Sequence, residues 1–230
     1  MKKKILVVAA HPDDEILGCG GSIAKHSAQG NEVHVLILAE GVTSRDEKRN
    51  REGRSNDIVH LRNMADKANK ILGTTSIQLM DFPDNRMDTV DLLDIVKVVE
   101  NKINERKPEI IYTHHHGDLN NDHRITHQAV LTACRPEPNT TVKKIYCFEI
   151  PSSTECQTPI AEFSFIPNTF VNISGELEKK VTALKAYESE MKPWPHSRSI
   201  KAVEHLARWR GASACFEAAE AFILYRNLIV

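Results

Sequence analysis

ILVVAAHPDDEILGCGG, residues 5–21, is the stretch that decides the fold. Ile5 to Ala10 form an unbroken apolar run rich in β-branched side chains, the composition of a central strand in a parallel sheet covered on both faces. Such sheets bind ligands beyond the carboxyl ends of their strands, and His11, Asp13 and Asp14 follow at that point. An imidazole beside two adjacent carboxylates suits metal chemistry: one carboxylate can join the histidine as a ligand while its neighbour stays free as a base. A plainer reading makes Asp13 or Asp14 the cap of the following helix. One aspartate suffices for that, and His11, Pro12 and the second acid are left unexplained. Cys19-Gly20-Gly21-Ser22 predict a tight glycine turn ahead of a helix that stops near Gln29-Gly30-Asn31, without the GxGxxG spacing of a dinucleotide site.

Outward from this stretch, the 230 residues fit one domain, 1–230, able to bury roughly 70% of the surface of the unfolded chain. A net charge of -1 argues against a dedicated nucleic-acid surface, which needs an excess of cations to neutralise phosphates. The five cysteines are scattered and contain no CxxC, so a reducing, cytoplasmic setting is expected rather than a disulfide framework. The opening Met1-Lys2-Lys3-Lys4 imitates a secretory signal, but its apolar run ends after six residues at His11-Pro12. No run approaches the ~20 apolar residues of a membrane span.

Glu32 to Ala39 read as a second strand, completing a βαβ unit. A charged helix is expected from Asp46 to about Leu72, with Ile58, Leu61, Met64, Ala65, Ala68 and Ile71 on one face. Arg45 just before it, and Arg51 and Arg62 within it, are available to meet an anionic or hydroxyl-rich substrate. Strands follow at Ser76–Met80 and Glu109–Thr113, separated by an amphipathic helix from Asp91 to Lys107. The second of these strands delivers the chain into His114-His115-His116-Gly117-Asp118-Leu119-Asn120-Asn121-Asp122-His123-Arg124, with His127 one turn further on. Five of the chain's 11 histidines fall here, on the same sheet edge as His11, which weights the cluster toward metal binding. Later segments predict strands at Lys144–Glu149 and Thr169–Ile173, a helix from Glu176 to Met191, a Trp194-Pro195-His196-Ser197-Arg198 loop and a helix through about Arg210.

AAHPDDE at residues 9–15, with GDLNNDHR at 117–124, resembles the PIG-L/LmbE family of zinc-dependent de-N-acetylases. Lys70 to Gly73, the Asp81-to-Arg86 loop and the Tyr187-to-Ser199 segment also resemble its prokaryotic sugar deacetylases. The resemblance implies an α/β fold, a Rossmann-like three-layer sandwich with a mostly parallel sheet. By matching positions it implies His11, Asp14 and His123 as ligands of Zn2+, with Fe2+ an alternative occupant of the same donors, and Asp13 as general base. Asp122 keeps the acid of the second motif and would orient an imidazole. Asn120 departs from the pattern, standing where many members carry a histidine that assists the oxyanion or the leaving group. His196, or one of His114, His115 and His116, is expected to fill that role, unless Asp13 shuttles the proton alone. Arg62, Arg124 and Asn120 are the candidates for substrate binding, and Trp194 with His196 for an aromatic and cationic wall of a sugar pocket. The activity so implied is removal of an acetyl group from an N-acetylglucosamine-type sugar or conjugate by a homo-oligomeric enzyme. A metal- or sugar-binding protein without turnover, or a hydrolase of another amide or ester, is the alternative.

Overall fold

The computed structural model describes residues 2–229. Seven strands form one sheet: β1 (Lys4–Ala9), β2 (Glu32–Ala39), β3 (Ser76–Phe82), β4 (Ile110–His114), β5 (Lys144–Phe148), β6 (Thr169–Asn172) and β7 (Ala219–Asn227), in the order β3-β2-β1-β4-β5-β7-β6. β1 to β5 pair in parallel, and β7 runs antiparallel to both β5 and β6. The helices are α1 (Asp14–Ala28), α2 (Ser55–Leu72), α3 (Leu92–Arg106), α4 (Asn121–Ala133), α5 (Leu177–Ala186) and α6 (Ile200–Ala212).

The two-residue alternation of β1 explains the three layers. Ile5, Val7 and Ala9 pack with α1, α2, α5 and Val203 of α6, whereas Leu6 and Val8 pack on the opposite face with α3 and α4. Both faces are dry, so β1 is apolar from Ile5 onward. The strand order reverses between β2-β1 and β4-β5, and the carboxyl ends of β1 and β4 flank that switch point, where ligands of open α/β sheets bind.

Three local expectations are corrected. The glycines after Leu17 lie inside α1 rather than in a turn: the helix passes through them with one non-helical residue, Cys19 (φ -147, ψ 23). Their lack of a side chain permits close packing, since a Cβ on Gly21 would stand 2.7 Å from Ile173 Cδ1, and one on Gly18 would strike the Phe148 ring. Second, residues 46–54 are not helical. Their charges tie a loop down instead: Arg49 pairs with Glu40 and the Asp81 carbonyl, and Arg54 forks onto Asp46. Third, α5 ends at Ala186 rather than Met191; Tyr187 leaves helical geometry (φ -91, ψ 48), with its hydroxyl on Glu15.

Candidate active site

β1 and β4 bring the two motifs together. Asp14, the first residue of α1, places its Oδ2 3.2 Å from Nδ1 of His11 and 3.2 Å from Nε2 of His123 in the first turn of α4. Ligand atoms of His11, Asp14 and His123 all lie within 4.8 Å of one another. The remaining nitrogen of each imidazole faces a carboxylate: His11 Nε2 is 3.0 Å from Asp122 Oδ2, and His123 Nδ1 is 3.0 Å from Asp118 Oδ1. Those carboxylates are anchored in turn. Asp122 accepts the backbone N–H groups of Asn85 and Met87, and Asp118 accepts Asn120 N–H and the hydroxyls of Ser153 and Thr154. Such outer carboxylates fix the tautomer and orientation of ligating histidines.

The electrostatics match the geometry. Burial opposes ionisation of Asp14, but His123 and His11 outweigh it and hold the carboxyl well below the ordinary range. Burial would lower His123, yet Asp14 and Asp118 raise it to about 9. The pocket is thus a focused negative field around two imidazoles and one carboxylate, an N/O donor set that fits Zn2+ or Fe2+. Asp13 differs from its neighbour. It is 2% exposed, faces the cavity without touching either imidazole, and burial pushes its carboxyl up to about 8 against the opposing pull of Arg198. It caps α1 by position only, at φ 106, with no hydrogen bond from its side chain to the helix, so the capping reading fails.

A cavity of about 200 Å³ opens above these groups. Pro12 and Gly41 are its only non-polar lining residues; the rest of the wall includes Ser44, Asn85, Asn120, Ser152, Ser153, Arg45, Glu190 and Arg198.

The other expected residues sort as follows. Asn120 is in the cavity wall, but its amide is engaged at both ends: its oxygen accepts Asp122 N–H as the cap of α4, and its nitrogen donates to Asn85 Oδ1. Arg62 is not in the wall, because β3 draws its guanidinium to Asp81 and the Met80 carbonyl. Arg51 is likewise held by Glu40 and Asp81, whereas Arg45 reaches the cavity and pairs with Glu190. Arg124 turns back onto the carbonyls of Asp118 and Leu119 and braces the loop. His196 is exposed and outside the wall; its Nδ1 accepts the Arg198 N–H. Trp194 is 52% exposed against Lys201 and His205, also outside the wall.

Nor does the histidine run reach the cavity. His114 Nε2 accepts Ala10 N–H at 2.8 Å, and its ring stacks on His123 with centroids 4.0 Å apart. His115 and His116 face the carbonyls of Phe163 and Glu162, and His127 Nδ1 faces the His114 carbonyl. The residue that sequence reasoning passed over is Arg198, whose guanidinium lies 3.3 Å from Asp13 Oδ2 and donates to Ser152 Oγ at 3.0 Å. The proline-punctuated loop that carries it is the available signal, and within that loop Arg198 rather than His196 lines the cavity.

The family model described as PIG-L, GlcNAc-PI de-N-acetylase, matches residues 6–134, more than half of the chain, a span that includes both motifs. The chain belongs to the PIG-L family. Among its relatives, the "uncharacterized deacetylase YaiS" of Escherichia coli K12 is 31% identical over 194 residues, 82% of this chain and 92% of that protein. A probable N-acetyl-alpha-D-glucosaminyl L-malate deacetylase 2 of Bacillus cereus is 28% identical over 83% of this chain and 84% of that protein. In structure the chain is similar to GalB, the 4-carboxy-2-hydroxymuconate hydratase of Pseudomonas putida KT2440. The TM-score is 0.78 at 22% identity, covering 99% of this chain and 98% of that one. That likeness shows the fold alone: the PIG-L scaffold also carries a hydratase, so the reaction has to be argued from the site.

Proposed function

We propose that this chain is a metal-dependent amide hydrolase that removes the acetyl group from an N-acetylglucosamine-type sugar or sugar conjugate. The observation that carries the reading is the convergence of His11 Nδ1, Asp14 Oδ2 and His123 Nε2 beside a carboxylate, Asp13, that touches neither imidazole. Zinc held by those three residues would supply Lewis acidity toward an amide carbonyl and bring the pKa of water toward ~7.

The chain's own groups supply the proton traffic. Asp13 accepts the proton of the attacking water and returns it to the departing amine, a task suited to a carboxylate that faces the cavity and is free of both imidazoles. No second acid is required of the histidine run, whose members are engaged with backbone groups. Arg198 keeps the Asp13 carboxylate from swinging back onto the amino end of α1 and presents a fixed positive charge beside it. Asp118 and Asp122 face the outer nitrogens of the two imidazoles and orient the rings toward Asp14.

The wall supports this substrate class. Around the two imidazoles and the carboxylates of Asp13 and Asp14, the small cavity is lined by hydroxyls, amides, two arginines and the carboxylates of Asp84 and Glu190, with no aliphatic side chain beyond Pro12, a wall that suits a compact polyhydroxylated group. The family's description and the substrate in the name of the B. cereus relative point the same way. We assign the protein to the cytoplasm, where its cysteines, all free, would stay reduced. Among the described residues no helix is long and apolar enough to cross a membrane.

Acetate release from a panel of N-acetylhexosamine conjugates tests the proposal, with zinc-loaded wild type, chelated wild type and zinc-loaded Asp13→Asn compared. The zinc-loaded wild type should release acetate, and Asp13→Asn should be slower by roughly 10²-fold or more at equal zinc content. Zinc-loaded wild type that hydrolyses no member of the panel, or an Asp13→Asn variant at full rate, overturns it.

A further inference from the structure

Asp13 adopts a backbone conformation that L-residues rarely take, φ 106 and ψ -28, immediately before α1. An ordinary N-cap aspartate sits in the extended region and folds its carboxylate onto the first free N–H groups of the helix. That geometry would consume the side chain assigned above as the base. Here the Asp13 carbonyl still accepts Ile16 and Leu17 N–H, so the helix begins normally while the carboxylate is directed to the cavity. What compensates the unusual turn is the next residue but one. Asp13 N–H donates to Glu15 Oε2 at 3.0 Å.

Glu15 is entirely buried and does not line the cavity. Its other oxygen, Oε1, accepts the Tyr187 hydroxyl at 2.7 Å and Asn69 Nδ2 at 2.8 Å, from residues that are themselves buried and belong to α2 and the end of α5. A buried carboxylate serving only cohesion is replaceable by a well-packed apolar side chain. This one has a partner that no apolar side chain can serve, the N–H of a residue in a disfavoured conformation, and strained backbone persists only where its surroundings over-determine it.

We propose that Glu15, braced by Tyr187 and Asn69, is the positioning residue that holds Asp13 in its left-handed turn and thereby keeps the base aimed at the substrate. The proposal rests on the reading of Asp13 as the base, and its test separates the two. Glu15→Met removes the acceptor, Glu15→Gln retains a carbonyl oxygen for Asp13 N–H, and Tyr187→Phe loosens the brace with the ring kept in place. Each variant is measured for zinc content, for kcat and KM per zinc-loaded site, and for the Asp13 dihedrals in a crystal structure.

Glu15→Met should bind zinc at the wild-type ratio, keep KM, lose roughly ten- to a hundredfold in kcat and show Asp13 relaxed to negative φ. Tyr187→Phe should lower kcat in the same sense by less, and Glu15→Gln should recover most of the rate. Glu15→Met with Asp13 still at positive φ and an unchanged kcat would overturn the proposal. If Glu15→Met does not fold, Tyr187→Phe with unaltered Asp13 dihedrals and kcat does the same. Should the wild type release no acetate, the deacetylase reading fails, while the Asp13 dihedrals in the variants still decide the positioning role.

Discussion

Lys180 and Glu220 form an ion pair in the interior, 2.6 Å apart with each side chain 4% exposed, and Lys180→Met should destabilise the protein sharply. The pair sits at the break in α1. Lys180 Nζ also donates to the Leu17 carbonyl at 2.9 Å, and Glu220 accepts Gly21 N–H at 2.8 Å and Ser22 N–H at 2.7 Å. The lysine therefore serves the carbonyl left free before Cys19, and the glutamate serves the N–H groups left free after it. Removing one member of a buried pair typically costs about 3–5 kcal/mol. Glu220 would keep its two backbone donors, so the expected loss is near the lower figure, about 3 kcal/mol, or roughly 6–12 °C in Tm for a chain of this size. The assay is urea unfolding of the metal-free protein at pH 7, with an unchanged m-value as the check that stability alone has moved. The Lys180→Met/Glu220→Gln double variant should regain part of the loss, because the stranded charge is gone while the amide oxygen still accepts from the helix. A loss below about 1 kcal/mol for Lys180→Met, the size of a solvent-exposed pair, would refute the assignment of this pair to the helix break.

Other consequences are open to direct measurement. Asp118→Asn weakens the carboxylate facing His123 Nδ1 and should lower zinc affinity by roughly 10- to 100-fold in competition with a chromophoric chelator; unchanged affinity would show that Asp118 does not tune the ligand. His26 is lowered to about 4 by burial, helped by Lys3 and Lys25. Its folded-state pKa lies below the unfolded value of 6.5, so the unfolded chain takes up the proton first. Its contribution is intact above pH 6.5 and is lost as the pH falls toward 4, by about 3 kcal/mol in all. His127 acts in the same direction, so the readout is the difference in pH dependence between wild type and His26→Gln; identical slopes would contradict the claim. Gly21→Ala places a methyl 2.7 Å from Ile173 Cδ1 and should cost about 1–3 kcal/mol in the same unfolding assay, whereas a neutral outcome would mean that α1 packs less tightly than described.

The sheet was readable because its signals are local. β1 and β2 are buried on both faces over most of their length, and the continuous apolar runs at 5–10 and 35–39 register that directly; the bounds of β2 coincide with the reading, Glu32–Ala39. The convergence of His11, Asp14 and His123 was readable for a related reason, since the two motifs that carry them follow recognisable strands and the fold delivers strand ends to one edge. What local spacing does not encode is which partner a polar group meets. His114 is matched by a backbone N–H 104 positions away, and Arg198 meets Asp13 across 185 positions. The histidine run looked like a metal cluster because its members are adjacent in sequence. Strand alternation and the following loop point them in different directions, and only His123 joins His11. Similarly, glycines 18, 20 and 21 signal close backbone approach in either a turn or a helix contact, and the deciding neighbours, Phe148 and Ile173, lie far along the chain.

The most direct test of the account is an anomalous diffraction map of zinc-soaked crystals collected at the zinc edge. The account requires one strong peak per chain, about 2.0–2.2 Å from His11 Nδ1, an Asp14 carboxylate oxygen and His123 Nε2, with Asp13 off the metal. A peak that engages only one of the two motifs, or zinc bound elsewhere with this triad bare, would contradict it.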